Sequence, residues 1–546
     1  MNDEAALPFS NPASVTPSRL TRIWIPTILL VLFAAQSLWF IGTQSLTYEE
    51  PGNILAGIEA WQHGRFAMWT EHPPLGRFWL TLPLALAKVD IGMQPTPRGY
   101  VVTAMQPGPE WLAWRSRPMN TLLGLGLGIT LWFATRRLFS VGAANVALAL
   151  FAFTPSMVAN FSVATPDGIG ALFVFLTANQ VVLWRRNPNR AQTAVMGLVL
   201  GGLLLARLDA APEVALAVVF LLARAWGRKT TSAWKPALAA LAIALVTWWA
   251  GYLFHVSHVK VGDGQVVATF PHGETKTWAT TSQARLNLLV PAGEYMAGLR
   301  SDHPGRPTWF LSRIYPTRAP WLFYPVTILL KWPMVVLVLF FVSLAKGVRK
   351  TCRAPGELLI VGSFGLVVLV FALLSHADAG ERQLLPLYPL ALLIVGGIWE
   401  HARQNRVGVV TVILALGLNA ADALRSAPDY LAYFNIVVRP QNAWQLLTDS
   451  NLDWGQGLIA LRKYEQQHPG ETLHLAYFGS VPPRFYGIKA EEMLPEVPAI
   501  GRVVAGASCL SGQMLLEHDS YRWLWKYSPE GMIDRSMLVF DTTKAE

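Results

Sequence analysis

Apolar residues gather along this chain in long runs rather than in short amphipathic periods. Crossing about 30 Å of hydrocarbon takes roughly 20 helical residues. Eleven runs approach or reach that length, near residues 23–42, 118–135, 141–159, 168–184, 193–206, 211–226, 236–256, 326–345, 356–374, 384–400 and 407–424. Each predicts a membrane-spanning α-helix; the fifth is the shortest. The first follows Arg19 and Arg22. It is longer than the apolar core of a signal peptide and lacks a small-residue cleavage site, so it predicts a span. Three polar stretches separate or follow the runs: 43–117, 257–325 and 428–546. In the last, strand-like runs (472–479, 501–508, 536–541) alternate with helix-like ones (456–467, 512–525), which predicts a small α/β domain. Residues 1–18 form a polar arm.

Composition agrees with the pattern. Of 546 residues, 53% are hydrophobic and 14% charged. Soluble domains carry about 25% charged residues, so this chain cannot clothe several of them. Two cysteines exclude a disulfide scaffold. Lys and Arg number 44 against 34 Asp and Glu, a surplus of ten. Fifteen of the cations sit in alternate short loops: Arg136 and Arg137; Arg185, Arg186 and Arg190; Arg224, Arg228, Lys229 and Lys235; Lys346, Arg349, Lys350 and Arg353; Arg403 and Arg406. Lys and Arg in short loops mark the cytoplasmic side. The expected N-terminus is therefore inside, and eleven spans put the C-terminus and all three polar stretches outside. Cys352 and Cys509 then lie on opposite sides and cannot pair. The surplus charge is an orientation signal; no basic stripe with interleaved aromatics points to nucleic acid.

Chemistry concentrates just after the first run, at Thr47-Tyr48-Glu49-Glu50-Pro51. Ile54, Leu55, Ile58 and Trp61 predict an amphipathic helix that Pro51 can start. Two carboxylates thus sit at a helix N-terminus, where the dipole favours the ionised form a general base needs. The structural reading is a plain helix cap. Next comes Glu71-His72-Pro73-Pro74-Leu75-Gly76-Arg77, whose prolines hold His72 in an extended turn, followed by an apolar stretch at 78–88. No HxH, HExxH or CxxC spacing supports a metal site. His72 alone reads as well as a hydrogen-bonding residue.

Other outliers border the runs. Asp167, in Thr165-Pro166-Asp167-Gly168, is a carboxylate at a membrane boundary, either used or capping the fourth span. Arg207 and Asp209 read as a salt bridge. Lys331 interrupts Ile328-Leu329-Leu330-Lys331-Trp332-Pro333, and snorkelling is its structural reading. His376-Ala377-Asp378-Ala379-Gly380-Glu381-Arg382 precedes the tenth run. There Arg382 suits an anion, whether a lipid headgroup or a substrate phosphate.

Glu-Glu-Pro followed by Glu-His-Pro-Pro-Leu resembles the first outer loop of lipid-carrier-dependent glycosyltransferases. These are the GT-C fold enzymes of the protein O-mannosyltransferase (glycosyltransferase family 39) and aminoarabinose-transferase type. Further matching runs follow in order: Ala164-Thr165-Pro166-Asp167; Tyr315-Pro316; Trp321-Leu322-Phe323-Tyr324-Pro325; Leu330-Lys331-Trp332-Pro333; Arg382-Gln383-Leu384-Leu385-Pro386-Leu387-Tyr388-Pro389; Tyr430-Leu431-Ala432-Tyr433-Phe434-Asn435. The most specific is Asp449-Ser450-Asn451-Leu452-Asp453-Trp454-Gly455-Gln456. The likeness covers roughly residues 20–490 and is nearest to a bacterial branch of phospholipid carrier-dependent glycosyltransferases.

The resemblance implies an all-α polytopic GT-C membrane protein with about eleven transmembrane helices. Residues 19–427 would form its membrane domain, with outer loops 43–117 and 257–325. Residues 428–546 would form an extracytoplasmic α/β domain. The implied reaction takes a sugar from a polyprenyl phosphate to a protein, lipid or glycan acceptor on the outer face of a bacterial inner membrane, with inversion. The first acid of the loop motif, Glu49 by position, would be the base. Relatives read Asp-Glu there; the additional methylene moves the carboxylate by roughly 1.5 Å, enough to matter. This leaves Glu49 on an adjusted backbone, Glu50, or an impaired site. Arg382, Lys331 and Arg318 would hold phosphate, with Asp167 and His72 contacting or orienting substrate. No cofactor is required, and a divalent metal is compatible. Two other classes stay open: a transporter or lipid flippase, marked by mid-span ionisable residues and inverted repeats, and a non-catalytic scaffold.

Overall fold

The computed structural model describes residues 20–97, 99–227, 234–282, 284–300, 307–375, 380–494, 496–515 and 517–544. The arm at 1–18, Arg19, Arg228, Lys229 and the segment 376–379 lie outside the described residues.

A helix forms at each of the eleven apolar runs. The helices are α1 (Ile25–Thr43), α2 (Glu50–His63), α3 (Pro74–Thr81), α4 (Pro109–Leu138), α5 (Val141–Ala152), α6 (Pro155–Asn160), α7 (Asp167–Arg186), α8 (Arg190–Ala206), α9 (Ala211–Gly227), α10 (Trp234–Gly251), α11 (Gly293–Leu299), α12 (Phe323–Lys331), α13 (Met334–Ala345), α14 (Pro355–Leu374), α15 (Leu387–Gly396), α16 (Trp399–Ala402), α17 (Arg406–Arg425), α18 (Leu458–Gln467) and α19 (Ala507–Ser511). Their starts follow local chemistry. Ser140, Asn189 and Asn405 each accept a backbone N–H three residues on and cap α5, α8 and α17. Proline stands in the first turn of α2, α4 and α14, where no N–H partner is needed.

Among the described residues, five helices are long and apolar enough to cross a membrane: Arg22–Thr43, Asp167–Arg186, Trp234–Gly251, Pro355–Leu374 and Arg406–Arg425. α12 and α13 count as a sixth if taken as one broken span. The chain is a multi-pass membrane protein. α1, α14 and α17 leave Val31, Leu366 and Leu418 more than half exposed, a surface that hydrocarbon covers.

Three elements depart from the sequence reading. α4 begins nine residues before its apolar run, because the charge of Arg117 is neutralised inside the protein. The expected straight span at 326–345 bends by 111° between Lys331 and Met334. Pro333 offers no N–H there, and the Lys331 ammonium is drawn to three carbonyls off the helix. Of the expected helix at 512–525, only a short 3₁₀ turn at Arg522–Lys526 forms among the described residues. Gly512 takes φ +69° and ends α19, and a Cβ there would lie 1.9 Å from the His518 carbonyl.

The polar stretches carry the strands. β1 (Asp90–Thr96) and β2 (Gly99–Gln106) form a hairpin. In the second stretch, β3 (Val256–Gly262), β4 (Gln265–Thr269), β5 (Thr275–Ala279) and β6 (Leu286–Pro291) form an antiparallel sheet in the order β5-β4-β3-β6. β7 (Thr308–Phe310) and β8 (Arg313–Tyr315) pair nearby. The third stretch builds a mixed sheet from β9 (Leu473–Ala476), β10 (Glu491–Glu492), β11 (Arg502–Gly506), β12 (Gly531–Ile533) and β13 (Met537–Asp541) in the order β10-β9-β11-β13-β12. α18 precedes this sheet in the same stretch. The strands of the second stretch were not legible; β3 and β5 carry polar residues on both faces and show no apolar alternation.

Candidate active site

The segment joining α1 to α2 is held from below by Arg117 of α4. Its guanidinium is fully buried and donates to the carbonyls of Gln44 and Ser45, at 2.7 and 2.6 Å. It also donates to both carboxylate oxygens of Glu50, at 2.8 Å each. Glu50 further accepts the N–H groups of Thr47 and Ala164, each at 2.6 Å. Glu50 is therefore consumed by the fold. The sequence could not separate it from Glu49; in the structure it is 0% exposed and each of its oxygens accepts two hydrogen bonds.

Glu49 takes the other side of the turn. Its carboxylate accepts Arg382 Nη1 at 2.9 Å and Nη2 at 3.1 Å. Asp167, at the start of α7, lies 3.6 Å from Nη1 of the same guanidinium. Asp167 Oδ2 and Arg382 Nε are buried without a hydrogen-bond partner. Burial works against the Arg382 charge, yet Glu49 first and Asp167 next hold its pKa above the ordinary arginine value. One cation thus gathers two carboxylates, and the three residues come from three distant segments.

The specific run 449–456 supplies the roof. The Trp454 ring covers the Arg382 guanidinium at 4.1 Å. The Trp454 carbonyl accepts the Tyr48 N–H and the Gln456 carbonyl accepts the Ser45 N–H, each at 2.8 Å. The Ser45 hydroxyl donates to the Gly455 carbonyl at 3.0 Å. The run therefore clamps the Glu49 loop and stacks on its arginine at once. Beneath it, Asp453 accepts the N–H groups of Ser508 at 2.9 Å and Gly455 at 3.2 Å. Burial pushes its carboxyl up to about 7.

Glu49 opens on a cavity of about 660 Å³, lined among others by Asn53, Trp69, His72, Tyr100, Asp449 and Trp454. Aromatic rings wall one side: Tyr48 stacks on Phe478 at 5.1 Å, and Trp69 meets Tyr100 at 5.0 Å. His72 borders the cavity, half-buried. Burial, and then Arg77, hold its pKa below the ordinary value, so it is neutral near pH 7.

Two expected phosphate ligands are elsewhere engaged. Lys331 is 1% exposed and donates to the carbonyls of Leu431 (3.1 Å), Tyr433 (2.6 Å) and Asn451 (2.7 Å), with Glu381 at 3.5 Å. It ties the bent span to the clamp run and neither snorkels nor faces the cavity. Arg318 Nη2 donates to the Leu373 carbonyl at 2.8 Å, and among the described contacts nothing joins it to Arg382. Arg207 and Asp209 do pair, at 2.7 Å. Among the described residues, no three His, Cys, Asp or Glu side chains converge as metal ligands. Arg117, Asn53 and a role for Trp454 were missed from the sequence. Arg115 and Arg117 abutting an apolar run were the available signal for Arg117, and the specific run 449–456 was the signal for Trp454; Asn53 gave none.

The comparisons with known proteins converge on one class. Residues 112–250 match the family model described as dolichyl-phosphate-mannose-protein mannosyltransferase. Residues 311–425 match the Alg9-like mannosyltransferase family. No curated protein sequence is significantly similar to the chain. Among solved structures, the S. cerevisiae protein O-mannosyltransferase Pmt1-Pmt2 complex bound to the sugar donor is similar at 12% identity and TM-score 0.51, over 75% of this chain and 90% of that one. ArnT from Cupriavidus metallidurans bound to undecaprenyl phosphate aligns at 13% identity and TM-score 0.47, over 95% of this chain and 97% of that one. The archaeal oligosaccharyltransferase AglB from Archaeoglobus fulgidus aligns at 11% identity and TM-score 0.43, over 96% of this chain and 75% of that one. The chain has the fold of the protein O-mannosyltransferases, and family models of sugar transferases match two separate stretches of its membrane domain.

Proposed function

We propose that this multi-pass membrane protein is a glycosyltransferase that moves a sugar from a polyprenyl phosphate to a hydroxyl-bearing acceptor. The observation that carries this reading is the Glu49–Arg382–Asp167 cluster, whose Glu49 lines one large cavity together with Trp454, the ring that covers Arg382. A carrier lipid explains why the catalyst spans the membrane. Its leaving group, a lipid phosphate, is a weak base and needs a cation rather than a general acid. Arg382 is that cation. Glu49 is the base. The acceptor oxygen attacks the anomeric carbon, its proton passes to Glu49, and the bond from that carbon to phosphate oxygen breaks. The carrier phosphate leaves with the electron pair, and one displacement inverts the anomeric centre.

In the structure both groups are paired with each other. A phosphate arriving at Arg382 competes for the same two N–H groups and releases the carboxylate. Donor binding therefore precedes base catalysis. Asp167 stays beside the guanidinium and orients it. The longer Glu49 side chain reaches Arg382 without strain at its backbone, which holds ordinary helical angles.

The fifteen cations of the alternate loops support an N-terminus inside and a site on the outer face; this reading takes eleven spans, a bacterial inner membrane and the α/β domain outside. The acceptor is a protein, lipid or glycan hydroxyl. A transporter reading loses ground, since the family models name transferases. The experiment is a comparison of envelope glycans and glycoproteins by mass spectrometry in cells making the wild-type protein or Arg382→Ala at equal levels. A sugar addition present only with wild type supports the reading; identical spectra, with the addition present in both, overturn it.

A further inference from the structure

Both polar atoms of the Asn53 side chain are buried, and neither has a hydrogen-bond partner. The residue is 1% exposed and lines the Glu49 cavity. Its N–H donates to the Glu49 carbonyl at 3.1 Å, so it stands one helical turn further along α2. That turn measures about 5.4 Å, comparable to the width of a sugar ring. A primary amide carries two donors and an acceptor. Burying it with none satisfied is costly, and native proteins keep such groups where a ligand supplies the partners.

An aromatic face lies beside it. Trp69 crosses α2 at Gly52, where a Cβ would lie 1.3 Å from the indole ring. Arg77 fixes its backbone, with Nη2 donating to the Trp69 carbonyl at 2.7 Å and Nη1 to the Met68 carbonyl at 2.9 Å. Trp69 also holds φ +50°, an uncommon conformation kept where surroundings over-determine it. A fixed ring next to an empty amide fits a pyranose, which presents adjacent hydroxyls at its rim and C–H groups on its face. An acceptor oxygen at Glu49 leaves these groups unused. The sugar, which must lie within reach of both Glu49 and Arg382, does not.

We propose that Asn53 and Trp69 form the subsite for the donor's sugar ring, with the Asn53 amide pairing two adjacent hydroxyls and Trp69 covering the ring. This rests on the carrier-sugar reading above. The test uses full-length protein in nanodiscs, exposed to a total lipid extract of bacterial membrane. Mass spectrometry of the retained lipids gives the ratio of sugar-bearing carrier to bare polyprenyl phosphate. Asn53→Leu should keep wild-type retention of the bare carrier and lose at least about tenfold in the ratio. Asn53→Ser, which keeps a hydroxyl and adds no bulk, should lose less and serves if the Leu variant does not fold. An unchanged ratio in the variant that folds overturns the proposal, as does equal loss of both lipids, which marks a structural residue. Full carrier retention by Arg382→Ala instead overturns the parent reading, whatever Asn53 shows.

Discussion

The carboxylate of Glu49 and the guanidinium of Arg382, 333 residues apart, form a two-pronged pair at 2.9 and 3.1 Å. Glu49 lines the cavity, and the pair must open for either residue to meet substrate. Glu49→Gln removes the competing charge. It should therefore tighten binding of undecaprenyl phosphate by roughly tenfold, the scale of one charge-assisted contact, while abolishing transfer. Titration of the full-length protein in nanodiscs checks this; weaker binding in the variant would contradict the competition.

Glu50 should behave in the opposite way. Glu50→Ala strands the Arg117 cation in a site with no exposure. Removing one partner of a buried pair costs about 3–5 kcal/mol, so the variant should show a lower thermal midpoint or fail to accumulate. Glu49→Gln leaves Arg382 with Asp167 at 3.6 Å and should lower the midpoint less than Glu50→Ala does. Equal midpoints for Glu50→Ala and wild type would contradict the structural assignment.

Trp454 stacks on Arg382 from the α/β side of the molecule. Trp454→Leu should weaken polyprenyl-phosphate binding, whereas Trp454→Phe keeps a π face and should recover most of it. Cation–π contacts are worth about 2 kcal/mol when desolvated, or roughly 30-fold. Retention of the uncharged polyprenol should not change. If Leu and Phe variants bind alike, the ring acts by bulk alone.

Asp453 links pH to stability. Burial raises its carboxyl from 3.8 to about 7, so the folded protein holds a proton that the unfolded chain releases. Stability is then highest below pH 4, falls as pH rises from about 4 to 7, and is flat above. The slope is at most about 1.4 kcal/mol per pH unit for one group. In Asp453→Asn the thermal midpoint should lose that component between pH 5 and 7. A slope identical to wild type would place the titration elsewhere.

The helices of the apolar runs were legible because hydrocarbon demands long apolar segments; a helix forms at every run, and five of these, among the described residues, are long and apolar enough to cross a membrane. What was not legible arises only when distant elements meet. Nothing local distinguishes Glu49 from Glu50; the difference is that one faces Arg382 of the turn before α15 and the other Arg117 of α4. Lys331 read as a surface cation because its three carbonyl partners lie 100 to 120 residues downstream. Asn53 gave no signal, since an unpaired amide is visible only once its surroundings are folded. Arg382 and Asp167 were legible through their cost: charge beside a membrane boundary stands out against 14% charged residues overall.

The central claim is that Glu49 is the base and Arg382 the phosphate anchor of one transfer site. The direct measurement is single-turnover release of polyprenyl phosphate from the sugar-bearing carrier that co-purifies with the full-length protein, on addition of envelope acceptor fraction. Wild type should release carrier and glycosylate acceptor in equal amounts. Glu49→Gln should retain the loaded carrier and lose at least about a hundredfold in rate, the lower range for a positioned general base. Release by Glu49→Gln at the wild-type rate would contradict the account.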